Sequence, residues 1–205
     1  MAEIAEKLVR KEPVQQRSRE RVERMLGAAS ELIATRGSDA MKMGDVAERA
    51  GVSIGSLYQF FPDKSAIIRA LAERISESGR ACIDGALNGV GSTDELRSAF
   101  SDLVDIYYGL FKAEPVMRDI WSGTQADKSL RALELAENRA SAETLIKVLD
   151  RVKPSADPTA AATRVFLVWQ LGEAAMRLAI SVEREEGDRL VEAYKRMALR
   201  ELLDG

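Results

Sequence analysis

Apolar residues recur at steps of three and four positions along most of the chain, and no stretch shows sustained alternation of apolar and polar residues. Steps of three and four place apolar side chains on one face of an α-helix, whereas alternation would indicate a β-strand. Glycine and proline residues fall between the periodic segments, where they are typical of helix ends. The pattern therefore predicts an all-α fold.

The N-terminal third is predicted to contain a flexible basic arm over residues 1–14, followed by helices. The first helix should end at Arg36, because a basic residue in the last turn followed by Gly37 is typical of a helix C-terminus. Further helices are predicted over about 44–50, from 54, and from 63 towards 83.

Capping residues mark the starts of the later helices. Ser92 and Glu95 form a capping box, in which the serine accepts a hydrogen bond from a backbone N–H group and the glutamate reaches back. Asp127 is expected to cap a long helix, and Asp157-Pro158 has the N-cap and first-turn residues that start the next.

The last two helices are predicted over about 158–186 and 188–204. The first of them carries an apolar run over 165–171 and is apolar nearly all round. Such a helix requires an apolar partner beyond its own core.

Residue types that most catalytic and metal sites require are scarce. The 205 residues include no histidine and one cysteine, Cys82. This composition removes internal disulfides, nearly all zinc sites and every mechanism with a histidine base. The sequence also lacks a Gly-x-x-x-x-Gly-Lys phosphate loop. We therefore expect no enzymatic activity, no cofactor and no metal.

The start of the chain lacks a basic leader followed by an apolar segment, and no apolar run approaches about 18 residues. A soluble cytoplasmic protein is expected.

The net charge of −3 conceals an uneven distribution. Residues 1–64 hold 11 Lys and Arg against 10 Asp and Glu, whereas residues 65–205 hold 19 against 23. The basic excess is largest within 7–24. A basic patch on an acidic protein indicates a localised anionic partner, although a solvated helix face with ion pairs would have the same composition.

The segment 44–58 has the pattern of a helix-turn-helix. Val46 and Ala47 face inward on a short helix, Gly51 allows a tight turn, and Ser53 caps a second short helix whose Leu57 packs back. The second helix of this motif lies in the major groove of DNA. The segment therefore predicts binding to double-stranded DNA.

Over residues 16–75, the chain resembles the TetR family of bacterial transcriptional regulators. The resemblance rests on Asp45-Val46-Ala47, Ala50-Gly51-Val52-Ser53, the run from Gly55 to Lys64, and Ile67. It implies a DNA-binding domain over 15–64 and a larger helical domain over 65–205 for effector binding and dimerisation. It also implies a repressor that a small-molecule effector releases from a palindromic operator, and a homodimer formed through the last two helices.

The resemblance implies specific DNA contacts. Gln59 can pair with two edge atoms of adenine, and Tyr58 can reach a phosphate. At the position of Lys42, relatives often carry a serine or threonine that caps the helix and contacts a phosphate. The positive charge of Lys42 would replace that phosphate contact. The implied DNA-binding residues are Lys42, Ser53, Ile54, Gly55, Ser56, Tyr58, Gln59 and Lys64.

In the larger domain, Trp169, Glu173 and Arg177 follow at steps of four on one helix stripe. This stripe could orient a partly apolar small molecule. Alternatively, the tryptophan belongs to the core and the charged residues form an ordinary ion pair within the helix. The candidate effector-binding residues are Tyr107, Trp121, Trp169, Gln170, Glu173 and Arg177.

Other functions remain open at the level of sequence. A helical interaction scaffold would have the same fold without binding DNA. An activator or a ligand-independent regulator would use the same DNA-binding motif.

Overall fold

The computed structural model describes the backbone of residues 2–124 and 128–204, and the side chains of 16–120, 128 and 130–204. Within these ranges the chain is helical and contains no strand, as the periodicity predicts. The helices are α1 (Ala2–Arg36), α2 (Met43–Arg49), α3 (Ile54–Phe60), α4 (Lys64–Leu87), α5 (Thr93–Ala113), α6 (Pro115–Thr124), α7 (Lys128–Val152), α8 (Pro158–Ala179) and α9 (Arg184–Leu203).

The helices form two compact units, Met1–Glu73 and Arg74–Gly205. The division falls inside α4, between Glu73 and Arg74, whereas the sequence places it at 64/65, after the first residue of this helix. The first turns of α4 belong to the N-terminal unit, and they include the buried residues Ile67 and Leu71.

Helix α1 begins at Ala2 and therefore includes residues 2–14, for which the sequence predicts a flexible arm. Alanine, glutamate and lysine are strong helix formers and are frequent in this segment. Pro13 removes one backbone hydrogen bond but leaves the turns before and after it able to form.

In the N-terminal unit, α2 packs against both α1 and α3. Two glycines with positive φ end the first two helices of this unit, Gly37 at 79° and Gly51 at 65°. The core is the predicted apolar stripe of α1 together with inward residues of α2 and α3: Met25, Leu26, Ala29, Leu32, Ile33, Val46, Ala47 and Leu57.

In the C-terminal unit, α8 packs against α7 and α9, and α5 packs against α9. Its core includes Phe100, Leu145, Val165, Met176 and Val191, one or more from each of these four helices. None of the described helices is both long enough and apolar enough to cross a membrane.

The predicted caps of α5 and α8 are confirmed. Ser92 accepts a hydrogen bond from the backbone N–H of Glu95 at 3.2 Å, and Asp157 accepts one from Ala160 at 3.0 Å. The Glu95 carboxylate accepts from the backbone N–H of Gly91, at 2.7 Å. Asp127, the predicted cap of α7, lies outside the described residues.

Helix α8 begins at Pro158, as predicted, but it ends at Ala179 instead of about 186, and α9 begins at Arg184 instead of about 188. The predicted bounds leave Gly187 between the two helices, but this glycine lies inside α9. A Cβ atom at position 187 would lie 2.3 Å from the carbonyl oxygen of Ala179. Gly187 therefore permits close approach of α9 to the end of α8.

Candidate functional site

Helices α2 and α3 form the predicted helix-turn-helix. The turn is closed by backbone hydrogen bonds from Gly51 to Glu48, at 3.1 Å, and from Val52 to Ala47, at 3.0 Å. The Ser53 hydroxyl accepts from the backbone N–H of Ser56 at 3.2 Å and caps α3, as predicted.

Helix α3 has a buried face and an exposed face. Leu57 is fully buried and anchors the helix. Ile54 and Tyr58 are 45% and 50% exposed, and Gly55 and Gln59 are exposed beside them. These four predicted DNA-binding residues therefore share one accessible surface.

Ser56 differs from the other predicted base-reading residues. Its hydroxyl oxygen is buried and has no hydrogen-bond partner within the part of the chain that the structure describes. The hydroxyl therefore does not lie on the exposed surface of α3.

Two lysines predicted to contact DNA flank this motif. Lys42 is exposed at the N-cap position of α2, where it makes no side-chain cap. The Lys64 ammonium group donates to the backbone carbonyls of Ser38 and Asp39, at 3.1 and 3.2 Å. Lys64 therefore holds the loop before α2, an intramolecular role that the sequence analysis missed. An ammonium group has three donors, so a further contact is compatible with this role.

Charge on the N-terminal unit is partly paired. Arg36 lies 3.5 Å from Asp45, and Arg49 donates to Glu31 at 2.6 Å. Among the described residues of the basic segment 7–24, four arginines of α1 are exposed: Arg17, Arg19, Arg21 and Arg24.

A polar cluster lies in the C-terminal unit, where contacts or charges link Tyr107, Glu134, Glu173 and Arg177. Gln170 is included in this cluster because it lies three positions before Glu173, on the same face of α8. Glu173 is buried on α8, with 6% of its surface exposed, and accepts a hydrogen bond from the Tyr107 hydroxyl at 3.3 Å. Arg177 contacts Glu134 of α7 at 3.4 Å.

The contact between Arg177 and Glu134 crosses between helices, whereas the sequence left a local pair between Arg177 and Glu173 as an alternative. Glu134 is not among the residues predicted from the sequence, because no spacing within one helix reveals a partner on another helix.

The environment of Glu173 disfavours its ionised form. Burial, the nearby negative charge of Glu134 and a hydrogen bond with Glu134 raise the pKa of Glu173 to about 8, although Arg177 and Tyr107 oppose the rise. Burial, followed by the charge of Glu173, also raises the pKa of Tyr107 well above its ordinary value. At neutral pH, the Glu173 carboxyl group is therefore mostly protonated.

Two atoms of the polar cluster are buried without a hydrogen-bond partner among the described residues. They are Oε2 of Glu173 and Nε2 of Gln170. Native structures leave few such atoms unsatisfied, so each calls for an explanation. Trp169 is half-buried next to Gln170 in sequence. The side chain of Trp121, another predicted effector residue, lies outside the described residues.

Both units match models of one protein family. Residues 25–71 match the model described as bacterial regulatory proteins of the tetR family. Residues 94–204 match the tetracyclin repressor-like C-terminal domain.

Similar proteins agree with these matches. The chain is 36% identical over 67 residues to the HTH-type transcriptional regulator YvdT of Bacillus subtilis, covering 33% of this chain and 34% of that protein. It is 42% identical over 66 residues to the HTH-type transcriptional repressor KstR of Rhodococcus jostii, covering 30% and 31%. These matches therefore span about a third of the curated relatives' length.

The structural likeness extends over nearly the whole chain. A TetR-family transcriptional regulator from Streptomyces coelicolor superposes with a TM-score of 0.67 and 27% identity, over 91% of this chain and 97% of that one. With a family model on each unit and this neighbour over the full length, the chain belongs to the TetR family of bacterial regulatory proteins.

Proposed function

We propose that this chain is a homodimeric transcriptional repressor that binds a palindromic DNA operator and is released from it by a small-molecule effector. The observation that carries the proposal is that α3 has one buried face and one exposed face. This helix anchors itself through Leu57 and exposes Ile54, Tyr58 and Gln59 on the surface of a helix-turn-helix.

At the operator, α3 enters the major groove, where Gln59 reads a base edge and Gly55 allows close approach of the backbone. Tyr58 donates its hydroxyl to a phosphate. Lys42 and Lys64 add positive charge at the backbone, which positions the protein without reading sequence. Such a function takes place in the cytoplasm.

The dimer forms through α8 and α9. Leu167, Leu171 and Leu178 of α8 are 57%, 41% and 50% exposed, and Met197 of α9 is 50% exposed. Packing this apolar row against its counterpart across a two-fold axis would remove it from water and form a four-helix bundle. The dimer carries two α3 helices, as a palindrome requires.

The effector binds in the C-terminal unit at the polar cluster. Helix α7 carries Glu134 of this cluster and, one turn later, Glu137, which forms an ion pair with Arg80 of α4. Thr144 of α7 also donates to Asp84 of α4, at 3.1 Å. Because α4 includes residues of both units, an effector that shifts α7 would change the spacing of the two α3 helices and lower operator affinity.

The test is selection of binding sites from random double-stranded DNA with the full chain, followed by titration of the selected site across a salt series. We expect a palindrome with half-site centres about 34–36 Å apart, and binding that weakens as salt rises. A reporter gene placed behind the selected site distinguishes a repressor from an activator.

Variants assign the roles. Gln59→Ala should relax the preference at one base pair by about 1–3 kcal/mol. Tyr58→Phe should weaken binding to all sequences alike. Lys147→Ala, which alters an exposed residue of α7, is the control and should change neither. Selection of no palindrome by the wild-type chain would refute the proposal.

A further inference from the structure

The charges around Glu173 do not balance. Among the residues whose side chains the structure describes, the titratable and charged groups that face it are Tyr107 of α5, Glu134 of α7, Arg177 of α8 and Tyr194 of α9. With both tyrosines neutral, two carboxylates share one guanidinium group. A buried carboxylate without a compensating charge is costly, so this site favours either a proton or a bound cation.

The polar cluster also contains two buried polar atoms that lack a hydrogen-bond partner among the described residues. These atoms are Oε2 of Glu173 and Nε2 of Gln170. Positions 170 and 173 are neighbours on one helix face. Once Glu173 is ionised, the first atom can accept a hydrogen bond from a ligand, and the second can donate one. The unmet pair therefore matches a molecule with a donor next to an acceptor.

Apolar residues border the polar cluster. The ring of Tyr107 packs edge-on against Phe111, with centroids 4.9 Å apart, and Phe111 is 2% exposed. Met176, which follows Glu173 by three positions on α8, is also buried. A ligand whose polar end reaches Glu173 would therefore place its remaining surface against apolar side chains.

We propose that the effector carries a cationic nitrogen next to a hydrogen-bond acceptor on an apolar body, with Glu173 and Glu134 binding the cation and Gln170 donating to the acceptor. This inference rests on the proposed function, because it assigns the chemistry of the effector that the repressor would sense.

A cation restores the charge balance that a proton otherwise supplies. When the ammonium group of the ligand binds, Glu173 gives up its proton to solvent and Oε2 accepts from the ligand. An anionic ligand would add a charge of the same sign as Glu134, and a neutral ligand would leave the carboxyl group protonated. Because burial and Glu134 hold the pKa of Glu173 at about 8, cation binding should tighten as pH rises towards that value.

Three small molecules distinguish binding of a cationic, a neutral and an anionic ligand. Phenylethanolamine, phenylethanediol and mandelate share a phenyl ring and a hydroxyl group, and differ in a terminal ammonium, hydroxyl or carboxylate. Calorimetric titration of the full chain, without DNA, should give the tightest binding for phenylethanolamine. We expect it to bind about fivefold or more tightly than phenylethanediol, because charge-assisted hydrogen bonds are about twice as strong as neutral ones.

Substitutions test whether Glu173 and Glu134 bind the amine. Glu173→Gln keeps the shape of the protonated side chain and should abolish the preference for the amine, together with the rise in affinity from about pH 6.5 to about pH 8. Glu134→Gln, a second variant, should weaken amine binding without changing that of the diol. Glu143→Gln, an exposed carboxylate of α7, is the matched control and should retain the wild-type preference.

The inference is overturned if the wild-type chain binds none of the three molecules, if it binds the amine and the diol equally, or if Glu173→Gln keeps the preference. Because the titrations contain no DNA, these outcomes are independent of the operator selection described above. Failure to select a palindrome would instead refute the proposed function, whatever the ligand preference.

Discussion

The buried carboxyl group of Glu173 makes the stability of the protein depend on pH in a direction opposite to that of most carboxyl groups. Its pKa rises from 4.5 to about 8 in the folded chain, chiefly through burial. Between these values, the folded state retains a proton that the unfolded state has lost. Stability therefore falls as pH rises from about 4.5 to about 8, and the loss from this group is complete above the folded pKa.

The magnitude follows from the size of the pKa change. Each pH unit between the two pKa values is equivalent to about 1.4 kcal/mol, so ionised Glu173 costs the folded state up to about 5 kcal/mol. Glu173→Gln removes the ionisation and keeps the shape of the side chain. Relative to the wild type, this variant should gain stability steadily from about pH 5 to about pH 8 and then gain no more.

Thermal unfolding at several pH values and one fixed protein concentration measures the effect, because oligomer stability depends on concentration. In a chain of this size, Tm rises by about 2–4 °C for each kcal/mol gained. Glu143→Gln, at an exposed position of α7, is the control and should follow the wild-type profile. Parallel profiles for Glu173→Gln and the wild type would show that Glu173 is ionised in the folded protein, and would refute the reasoning.

Two further substitutions test the packing of α8. Gly187→Ala should destabilise the fold by about 1–3 kcal/mol, because the new Cβ atom would lie 2.3 Å from the carbonyl oxygen of Ala179. Gly85→Ala, which adds a methyl group where no atom lies within 4 Å, should be neutral or stabilising in thermal unfolding; equal effects of the two changes would contradict the close approach. Leu171→Glu should convert the dimer to monomer in analytical ultracentrifugation, since it adds charge to the proposed apolar interface. Leu135→Glu, at a comparably exposed position of α7, should leave the dimer intact, and a dimer that tolerated Leu171→Glu would form through another surface.

The sequence predicts the helix-turn-helix well because its structure depends on local interactions. The positive φ of Gly51, the Ser53 cap and the inward Leu57 each follow from residues within one turn of one another. The burial of the Ser56 hydroxyl does not follow in the same way. Helical spacing alone does not show that this hydroxyl group is buried.

The bounds of the last two helices show where local reasoning fails. The chain turns at 180–183, a segment without glycine or proline, and continues helically through Gly187. A glycine usually indicates a helix end, but here it accommodates the contact with Ala179. A tertiary contact between helices therefore determined the role of this residue.

The polar cluster is even harder to predict from the sequence. Glu173 and Arg177 have the spacing of a local ion pair, yet Arg177 contacts Glu134, which lies 43 positions earlier. Tyr107 and Glu173 are 66 positions apart. Nothing in the pattern of α7 distinguishes Glu134 from the other charged residues of that helix, so only the packing of α5, α7 and α8 reveals the cluster.

Helix α8 links the two proposed functions of the C-terminal unit through its geometry. At about 100° per residue, Glu173 lies about 200° around the helix from Leu171. One side of α8 therefore faces the proposed effector, and the opposite side carries the apolar row proposed for the dimer. A ligand that displaces α8 on one side must alter the packing on the other, and by linkage dimerisation must alter ligand affinity by the same factor. We therefore expect Leu171→Glu, once monomeric, to bind phenylethanolamine with an affinity different from that of the dimer, and equal affinities would show that the two faces act independently.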